Sequence, residues 1–331
     1  MDSITQIILG VAVAHVSLKG NENWKKTVTL GAALGTLPDL DVYIAKFWND
    51  PLVEIEFHRG FMHSIVFFLI FSFIISYCIK NKFTNTSFVR LLFTCLAILI
   101  THSLLDVFTT WGTQIFWPIK IKYALKSIFV VDVAYTLPLL MGTILGLKNK
   151  RISFTYAGIF ISTLYLIWGL SAQYMIKKEM IVLFEKNFPN QIREITVKPT
   201  FSNSILWNVI IQTNEGFYLS DITLFDKNDA VFHFFPQNKH LISGMNDPKL
   251  LKLIDLSENQ YTISQKKDYF VFNDLRFGVL KTDKDNNNVQ FAFSYELYPT
   301  PKGFNIKEVK KENRDGIALL KYVWHRCTSW L

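Results

Sequence analysis

Cysteine is scarce in this sequence, and no long run of like charge is present. The 331 residues include three cysteines, Cys78, Cys95 and Cys327, and no two of them stand at the spacing of a CxxC motif. This pattern argues against a disulfide framework and against a thiolate metal site. The lysines and arginines behind the net charge of +8 occur in small groups rather than in one basic block. We therefore expect no nucleic-acid partner, because this charge distribution fits contact with anionic membrane lipid better.

A cleavable leader peptide is not indicated either. The sequence begins Met-Asp-Ser without a basic segment, and its first apolar run, Ile4–Leu18, has no small-residue cleavage site. Leader peptides carry both features. We therefore expect the first helix to stay in the mature protein.

Long apolar runs are what the sequence does contain, since half of its residues are hydrophobic. A helix that crosses a bilayer needs roughly 20 such residues. Two early runs, Ile4–Leu18 and Thr27–Pro38, are shorter and rich in glycine and alanine. They are either short spans packed against their neighbours, which we favour, or re-entrant or interfacial helices. Four later runs approach full spanning length: Phe61–Ile79, Phe88–Phe108, Ile128–Leu147 and Ile152–Leu170.

The basic residues of the connections give an orientation if all six runs cross the membrane. The side richer in lysine and arginine is normally cytoplasmic. This rule places both termini and the loop Asp39–Glu56 outside, in a multi-pass protein of the inner (cytoplasmic) membrane. Nine basic residues lie on the inner side, namely Lys19, Lys25, Lys26, Lys80, Lys82, Arg90, Lys148, Lys150 and Arg151, and five lie on the outer side, namely Lys46, Arg59, Lys120, Lys122 and Lys126.

The C-terminal half has a different pattern. Short alternating segments predict a mostly antiparallel β domain, and Asn214-Glu215-Gly216 is typical of a hairpin turn. We therefore expect an α-helical membrane bundle of four clear and two short membrane helices, followed by a soluble β-rich domain. The predicted divisions are a membrane domain at 1–172, a linker helix at 173–190 and the β-rich domain at 191–331. The predicted strands are Ile205–Thr213, Phe217–Phe225, Ala230–Phe234, Tyr269–Leu275 and Val289–Tyr298, with a loop at Asp283–Asn288.

Two polar motifs lie at the edges of the apolar runs. Asp39 and Asp41 follow a proline that ends an apolar run, which is typical of a helix stop with solvated acids or of ligands at the membrane surface. His58 and His63 flank a glycine turn and could converge on one ion, because imidazole is a common metal ligand. Arg59 between them is a candidate anion clamp or a basic interfacial anchor.

A third motif lies inside an apolar run. His102 and Asp106 are four residues apart and therefore share one helix face. A carboxylate at this depth costs roughly 2.5–3.5 kcal/mol on insertion scales, so such residues usually pair, coordinate an ion or line a cavity. Further along, Gln114 could hydrogen-bond a ligand, and Asp132 is a candidate partner for a ligating histidine.

Under the six-crossing topology these polar residues converge near the same outer face. The topology came from lysine and arginine counts, so the convergence is largely independent support for a site. His15 fits less easily, because it lies toward the other end of the first helix. It reaches the site only if that helix is re-entrant or if a deep cavity extends into the helical bundle.

Five sequence blocks resemble the YdjM-like family of inner-membrane-associated metal-dependent hydrolases. They are Met-Asp-Ser-Ile-Thr-Gln, Gly-Thr-Leu-Pro-Asp-Leu-Asp, His-Arg-Gly-Phe-Met-His-Ser, Thr-His-Ser-Leu-Leu-Asp and Trp-Gly-Thr-Gln-Ile-Phe-Trp-Pro, and they lie within residues 1–140. Some members of that family have histidine where this chain has Gln6. A weaker similarity in ligand order, through His15, Asp39, His63, His102 and Asp106, runs to zinc-dependent phospholipase C.

The resemblance implies a divalent metal, Zn²⁺ or Mn²⁺, held by Asp39, His63, His102 and Asp106. Asp41 or His58 is then a general base or a further ligand, and Arg59 holds the leaving or transferred group. We expect a membrane-bound phosphoesterase acting on a lipid at the outer face. The alternatives are an ion or solute transporter, in which these residues form an ion path, and a non-catalytic membrane anchor held by the metal, whose β domain binds a partner.

Overall fold

The chain divides into two structural units. A computed structural model describes residues 1–225, 230–280, 290–301, 303–309 and 316–328. The first unit comprises residues 1–49 and 56–170, and the second comprises residues 50–55 and 171–331. The predicted loop Asp283–Asn288 and the first residue of the predicted strand Val289–Tyr298 lie outside the described residues.

The first unit is helical, and short 3-10 turns connect several of its helices. These turns cover Pro38–Leu40, Lys46–Trp48, Phe61–His63 and Lys80–Lys82. In chain order the helices that begin before residue 171 are α1 Ser3–Ser17, α2 Trp24–Thr36, α3 Asp41–Ala45, α4 Pro51–Phe57, α5 Ile65–Ile79, α6 Phe88–Val107, α7 Val133–Asn149 and α8 Ile152–Asn187. Residues 51–55 of α4 and 171–187 of α8 belong to the second unit.

Glycines allow α1 and α2 to pack with their backbones almost in contact. A Cβ added to Gly31 would lie 2.4 Å from the Cα of Val11, and one added to Gly35 would lie 2.5 Å from the carbonyl oxygen of Gln6. Only glycine fits at such distances, which is the usual role of small residues between membrane helices. The predicted close packing of the two early runs is confirmed, and it brings the end of α2 beside Gln6.

Among the residues that the structure describes, three helices are long and apolar enough to cross a membrane: Ile65–Lys82, Phe88–Val107 and Ile152–Asn187. The remaining predicted run, Ile128–Leu147, is instead a 17-residue helix that begins at Val133. Its first residues are held in a loop, where the N–H groups of Ser127 and Ile128 donate to the carbonyl of Phe108. This helix is too short to count as a clear span, so the predicted number of four clear spans is not confirmed.

Two boundaries differ from the prediction. The span predicted from Phe61 begins at Ile65, because residues 61–63 form a 3-10 turn and the Ser64 hydroxyl caps α5 by accepting from the N–H of Phe67. The run predicted to end at Leu170 continues to Asn187 as one helix. The expected linker helix is therefore the C-terminal part of α8 rather than a separate element.

The second unit contains two antiparallel sheets of four strands, and in each sheet the strands are neighbours in chain order. Apolar residues of α8 spaced four apart, including Ile176, Met180 and Phe184, pack against the first sheet, in which Trp207 is buried. The first sheet consists of β1 Glu194–Pro199, β2 Leu206–Gln212, β3 Gly216–Thr223 and β4 His233–Pro236. The second sheet consists of β5 Tyr261–Gln265, β6 Phe270–Leu280, β7 Gln290–Thr300 and β8 Gly303–Glu308. Among the described residues, the helices of this half are α9 Pro248–Leu256 and α10 Gly316–Thr328.

The predicted hairpin is confirmed, with Gln212 opposite Phe217 across the turn. All five predicted strands overlap observed ones. The strands β1, β5 and β8 were not predicted, because each is only five or six residues long and its alternation rests on two apolar residues. The α9 helix was also missed.

Candidate metal centre

Four potential ligands come from three separate chain segments. Asp39 lies in the 3-10 turn after α2, and His63 ends the 3-10 turn that precedes α5. His102 and Asp106 lie one turn apart on α6, near its C-terminal end. Because α5 begins and α6 ends at this cluster, the polar side chains share one end of two candidate membrane spans.

The ligand atoms have the separations that a single ion would impose. His63 Nε2 lies 3.3 Å from His102 Nε2, 3.4 Å from Asp39 Oδ1 and 3.4 Å from Asp106 Oδ2. His102 Nε2 lies 3.5 Å from Asp39 Oδ1 and 3.7 Å from Asp106 Oδ2. Ligands about 2.0–2.2 Å from a tetrahedral ion stand roughly 3.3–3.6 Å from one another. These four side chains therefore form a candidate metal centre.

A buried acceptor in the cluster is left without a hydrogen bond. Asp106 is fully buried, and its Oδ2 atom has no hydrogen-bond partner among the residues that the structure describes. An unsatisfied buried carboxylate oxygen costs several kcal/mol unless it is paired or coordinates a metal. Since Oδ2 is the atom that faces His63 and His102, a cation between them would satisfy it.

A hydrogen bond orients His102 toward the centre of the cluster, and an ion pair with Asp41 accompanies His63. His102 Nδ1 lies 2.8 Å from the carbonyl oxygen of Gly35, and because a carbonyl can only accept, Nδ1 carries the proton and Nε2 is free to coordinate. Ligating histidines typically donate their second N–H to a carbonyl or carboxylate, as His102 does here. His63 Nδ1 lies 3.2 Å from Asp41 Oδ2, which is an ion-pair distance without hydrogen-bond geometry.

Asp41 supports the cluster instead of completing it. Its fully buried carboxylate accepts from His58 Nδ1 at 2.9 Å and from the backbone N–H of Arg59 at 2.8 Å. The second bond holds Arg59 in a left-handed conformation with φ of 60°. Burial alone would raise the pKa of Asp41, but hydrogen bonds from His58 and His63 lower it to about 2. The carboxylate is therefore ionised and available to both histidines.

Arg59 is paired with a potential ligand. Its guanidinium Nη2 lies 3.2 Å from Asp106 Oδ1, and Nη1 donates to Thr109 Oγ1 at 2.7 Å. The carbonyl of Arg59 also accepts from the backbone N–H of Gln114 at 2.9 Å. Arg59 Nε has no hydrogen-bond partner within the described parts of the chain. Both terminal nitrogens of the guanidinium, which we expected to bind an anion, are therefore already engaged by Asp106 and Thr109.

Gln6 is part of the site although sequence reasoning treated it only as a departure from the family pattern. Its Nε2 donates to Asp106 Oδ1 at 3.1 Å and to the carbonyl of His102 at 3.2 Å. The amino nitrogen of Met1 also contacts Asp106. The Met-Asp-Ser-Ile-Thr-Gln block was the available signal, but nothing in its spacing points to Asp106.

The acids and histidines shift one another's proton affinity strongly. Burial on its own would lower the pKa of His63, yet the carboxylates of Asp106, Asp39 and Asp41 raise it to about 10. Burial likewise opposes ionisation of Asp39, but hydrogen bonds from His102 and His63 hold its pKa far below the ordinary value. His58 differs, because burial lowers its pKa despite the bond to Asp41. The cluster thus stabilises positive charge at its centre.

Three further residues that the sequence suggested, His15, Asp132 and Gln114, are not among the four potential ligands. His15 Nδ1 lies 2.8 Å from Thr155 Oγ1, near the C-terminal end of α1. Asp132 caps α7 by accepting from two backbone N–H groups, and it also accepts from the Tyr165 hydroxyl at 2.9 Å. Of these candidates, only Gln114 joins the site, and it does so through its backbone.

Sequence comparisons with known proteins match the part of the chain that contains the candidate centre. The uncharacterized protein YfhP of Bacillus subtilis (strain 168) is 25% identical over 227 residues, which cover 66% of this chain and 67% of that protein. No solved structure matches the chain significantly. The family model of the YdjM inner membrane protein matches residues 1–176, which include every residue of the candidate centre. The chain therefore belongs to the YdjM inner membrane protein family.

Proposed function

We propose that this protein is a membrane-bound, metal-dependent phosphoesterase that acts on a lipid or lipid-like substrate at the outer membrane face. The observation that carries the proposal is the set of 3.3–3.7 Å separations among His63, His102, Asp39 and Asp106. Membership of an inner membrane family and the three apolar helices support the location. The orientation rests on the nine-to-five distribution of basic residues.

The residues present fit a divalent ion. Asp39, His63, His102 and Asp106 would hold it through two nitrogens and two oxygens, a donor set that suits Zn²⁺ or Mn²⁺. When bound, such an ion supplies Lewis acidity and lowers the pKa of a water molecule. Asp39 is the least buried ligand, with 19% of its side chain exposed against at most 1% for the other three. Substrate and water would therefore enter beside Asp39.

The surrounding residues supply the rest of the chemistry. His58 is hydrogen-bonded to Asp41, and 23% of its side chain is exposed. Because burial lowers its pKa, the free imidazole can accept a proton from water at neutral pH. Arg59 fixes Asp106 and keeps positive charge next to the position where a phosphate would carry negative charge.

The membrane position favours an amphiphilic substrate. The cluster lies where α5 begins and α6 ends, so its opening is at the depth of lipid headgroups if those helices cross the membrane. A phosphorylated headgroup offers an oxygen to the ion and negative charge to Arg59. This match is the reason for choosing a lipid phosphate over a soluble ester.

One experiment tests metal and chemistry together. Purified protein is assayed for bound metal and for release of phosphate or headgroup from a lipid panel, with and without chelator. We expect Asp106→Ala to abolish both metal and turnover, while His240→Ala, at an exposed position on the second unit, changes neither. Turnover that survives both chelation and Asp106→Ala would overturn the mechanism.

A non-catalytic role for the metal is the second candidate, and the coordination geometry favours it in one respect. Four protein ligands close a tetrahedral zinc site, whereas catalytic zinc usually keeps one position open. Activity then requires an ion that accepts five or six ligands, as Mn²⁺ does, or release of Asp39. Full metal occupancy without turnover on any lipid, and with unfolding on chelation, would favour a metal-held anchor.

A further inference from the structure

An apolar stripe faces outward on the chain segment that supplies Asp39 and Asp41. This segment is helical almost throughout, as the 3-10 turn Pro38–Leu40, α3 and the 3-10 turn Lys46–Trp48 follow one another directly. The apolar side chains on its outer face are exposed by 39% at Ile44 to 88% at Phe47. The stripe consists of Leu40, Tyr43, Ile44, Phe47 and Trp48, which are spaced i, i+3, i+4, i+7 and i+8.

The opposite face of the same segment, with Asp41 and Ala45, points into the protein. Asp41 and Ala45 are fully buried, and Asp41 binds His58 and the N–H of Arg59. A helix on a water-exposed surface has the opposite arrangement, with its apolar stripe against the core. Helices that present a broad apolar face away from their own protein typically lie in a membrane interface.

The depth of the stripe is inferred from the neighbouring Asp39, which contacts a residue just before α5. Asp39 reaches His63, two residues before Ile65, where the span starts. The first turn of that span exposes Ile65 and Val66, which would contact lipid. The stripe therefore continues an apolar surface that would contact lipid if α5 crosses the membrane.

A second exposed segment lies at the same level. The N–H of Ile65 donates to the carbonyl of Ile115 at 3.0 Å, which fixes the following residues beside the start of α5. Phe116, Trp117 and Ile119 are exposed there. Aromatic residues of this kind concentrate at the headgroup level of membranes.

Lysines accompany both apolar segments. Lys46 lies over the ring of Tyr43 at 5.4 Å, and Lys120 pairs with Glu56 at 3.1 Å. Lysines at this depth extend their charged ends toward phosphate groups. The combination of apolar surface and cationic margin fits a lipid leaflet.

We propose that residues 40–48 lie in the boundary between headgroups and acyl chains of the leaflet that contains the metal centre, with residues 116–119 beside them. The partner of this surface is the lipid bilayer itself. The inference rests on the proposed function for the identity of the substrate, since it implies that a lipid phosphate reaches Asp39 sideways, without leaving the leaflet. The position of the segment is nevertheless measurable without any turnover.

The test is a depth measurement by site-directed spin labelling. The protein is reconstituted in vesicles of phosphatidylethanolamine and phosphatidylglycerol, with Cys78 and Cys327 replaced by serine and buried Cys95 retained. Single labels are placed at Phe47, at Phe73 on the exposed face of α5 as the bilayer reference, and at Leu251 on α9 as the aqueous reference. Collision rates with oxygen and with a water-soluble nickel chelate are compared. All three positions are exposed, so the labels should not disturb packing.

We expect the ratio of oxygen to nickel collision rates at Phe47 to exceed that at Leu251 several-fold and to approach that at Phe73. A ratio equal to that at Leu251 would place the stripe in water and overturn the proposal. Protection from both reagents would indicate a protein partner on the stripe and would overturn it equally. Because no activity is measured, failure of the proposed hydrolysis leaves this result interpretable.

Discussion

The Nε2 atoms of His63 and His102 face each other at 3.3 Å in a fully buried site. Two N–H groups cannot point at one another across that distance, and the Nδ1 of His102 is already committed to the Gly35 carbonyl. At least one Nε2 is therefore unprotonated and presents a lone pair beside two carboxylates. This arrangement is favourable when a cation lies between the rings, and it makes the following outcomes measurable.

Removing the carboxylate that supports His63 should weaken metal binding without abolishing it. Asp41 orients the ring but lies outside the four-atom cluster. We expect Asp41→Asn to lower metal affinity by roughly 10–100-fold, the usual effect of losing such a partner. Competition with a fluorescent chelator measures this, and Asp132→Asn, which changes a buried carboxylate that caps α7, is the matched control. Equal losses in both variants would mean that the effect is general destabilisation.

Metal binding should release protons at neutral pH. Without metal, the surrounding carboxylates raise the pKa of His63 to about 10, so its ring is protonated at pH 7.5. A ligating imidazole must lose that proton, and apparent affinity should therefore increase as pH rises, by about tenfold per unit for each proton released. Calorimetry in two buffers of different ionisation enthalpy measures the number released. Enthalpies that do not depend on the buffer would contradict the prediction.

Enlarging a glycine between α1 and α2 should destabilise the protein and the centre together. Gly31→Leu forces side-chain atoms against the backbone of Val11, and overpacking of this kind costs about 1–3 kcal/mol or more. The shift of α2 also displaces the Gly35 carbonyl from His102. Thermal unfolding in detergent, with metal content read in parallel, measures both effects. Ala33→Leu, at an exposed position on the same helix, should change neither.

The orientation predicted from basic residues can be tested directly. Fusions after Asn49 should activate a reporter that works only outside the cytoplasm, because this position follows the segment of Asp39 and Asp41. Fusions after Asn85, between α5 and α6, should activate only a cytoplasmic reporter. The reverse pattern would place the candidate centre on the inner face and would exclude an outer-leaflet substrate.

The sequence revealed the four potential ligands because charged and imidazole side chains are costly inside apolar runs. His102 and Asp106 share a helix face through their spacing alone, and Asp39 and His63 stand at the ends of neighbouring runs. Their convergence could be predicted because the six-crossing topology places both ends at one membrane face. The geometry among the four atoms depends on tertiary packing and could not.

Contacts between distant segments account for what was missed at the site. Gln6 meets Asp106 because α1 packs directly against α6, and no local pattern encodes that meeting. Arg59 looked like a free anion clamp because its pairing with Asp106 spans 47 residues of chain. Asp132 looked like a partner of a histidine, but its position just before α7 makes it a helix cap.

Limits of the same kind apply to the fold. The α7 helix was predicted too early because the residues from Ile128 to Val131 are apolar, although the loop bond to Phe108 keeps them out of the helix. Short strands such as β1 are stabilised by pairing and not by a strong local preference. The hairpin between β2 and β3, by contrast, was encoded by its turn residues.

The division of the ligands among three segments has a consequence for biogenesis. A chain emerging from the ribosome presents Asp39 first, then His63, and completes the set only with His102 and Asp106 near the end of α6. Since chains insert in N- to C-terminal order, the full set of four ligands exists only after α5 and α6 have both entered the bilayer. Until then Asp39 and His63 offer only a two-ligand fragment, so the nascent protein would bind metal weakly during its own translation and acquire it tightly only once the helical unit has assembled.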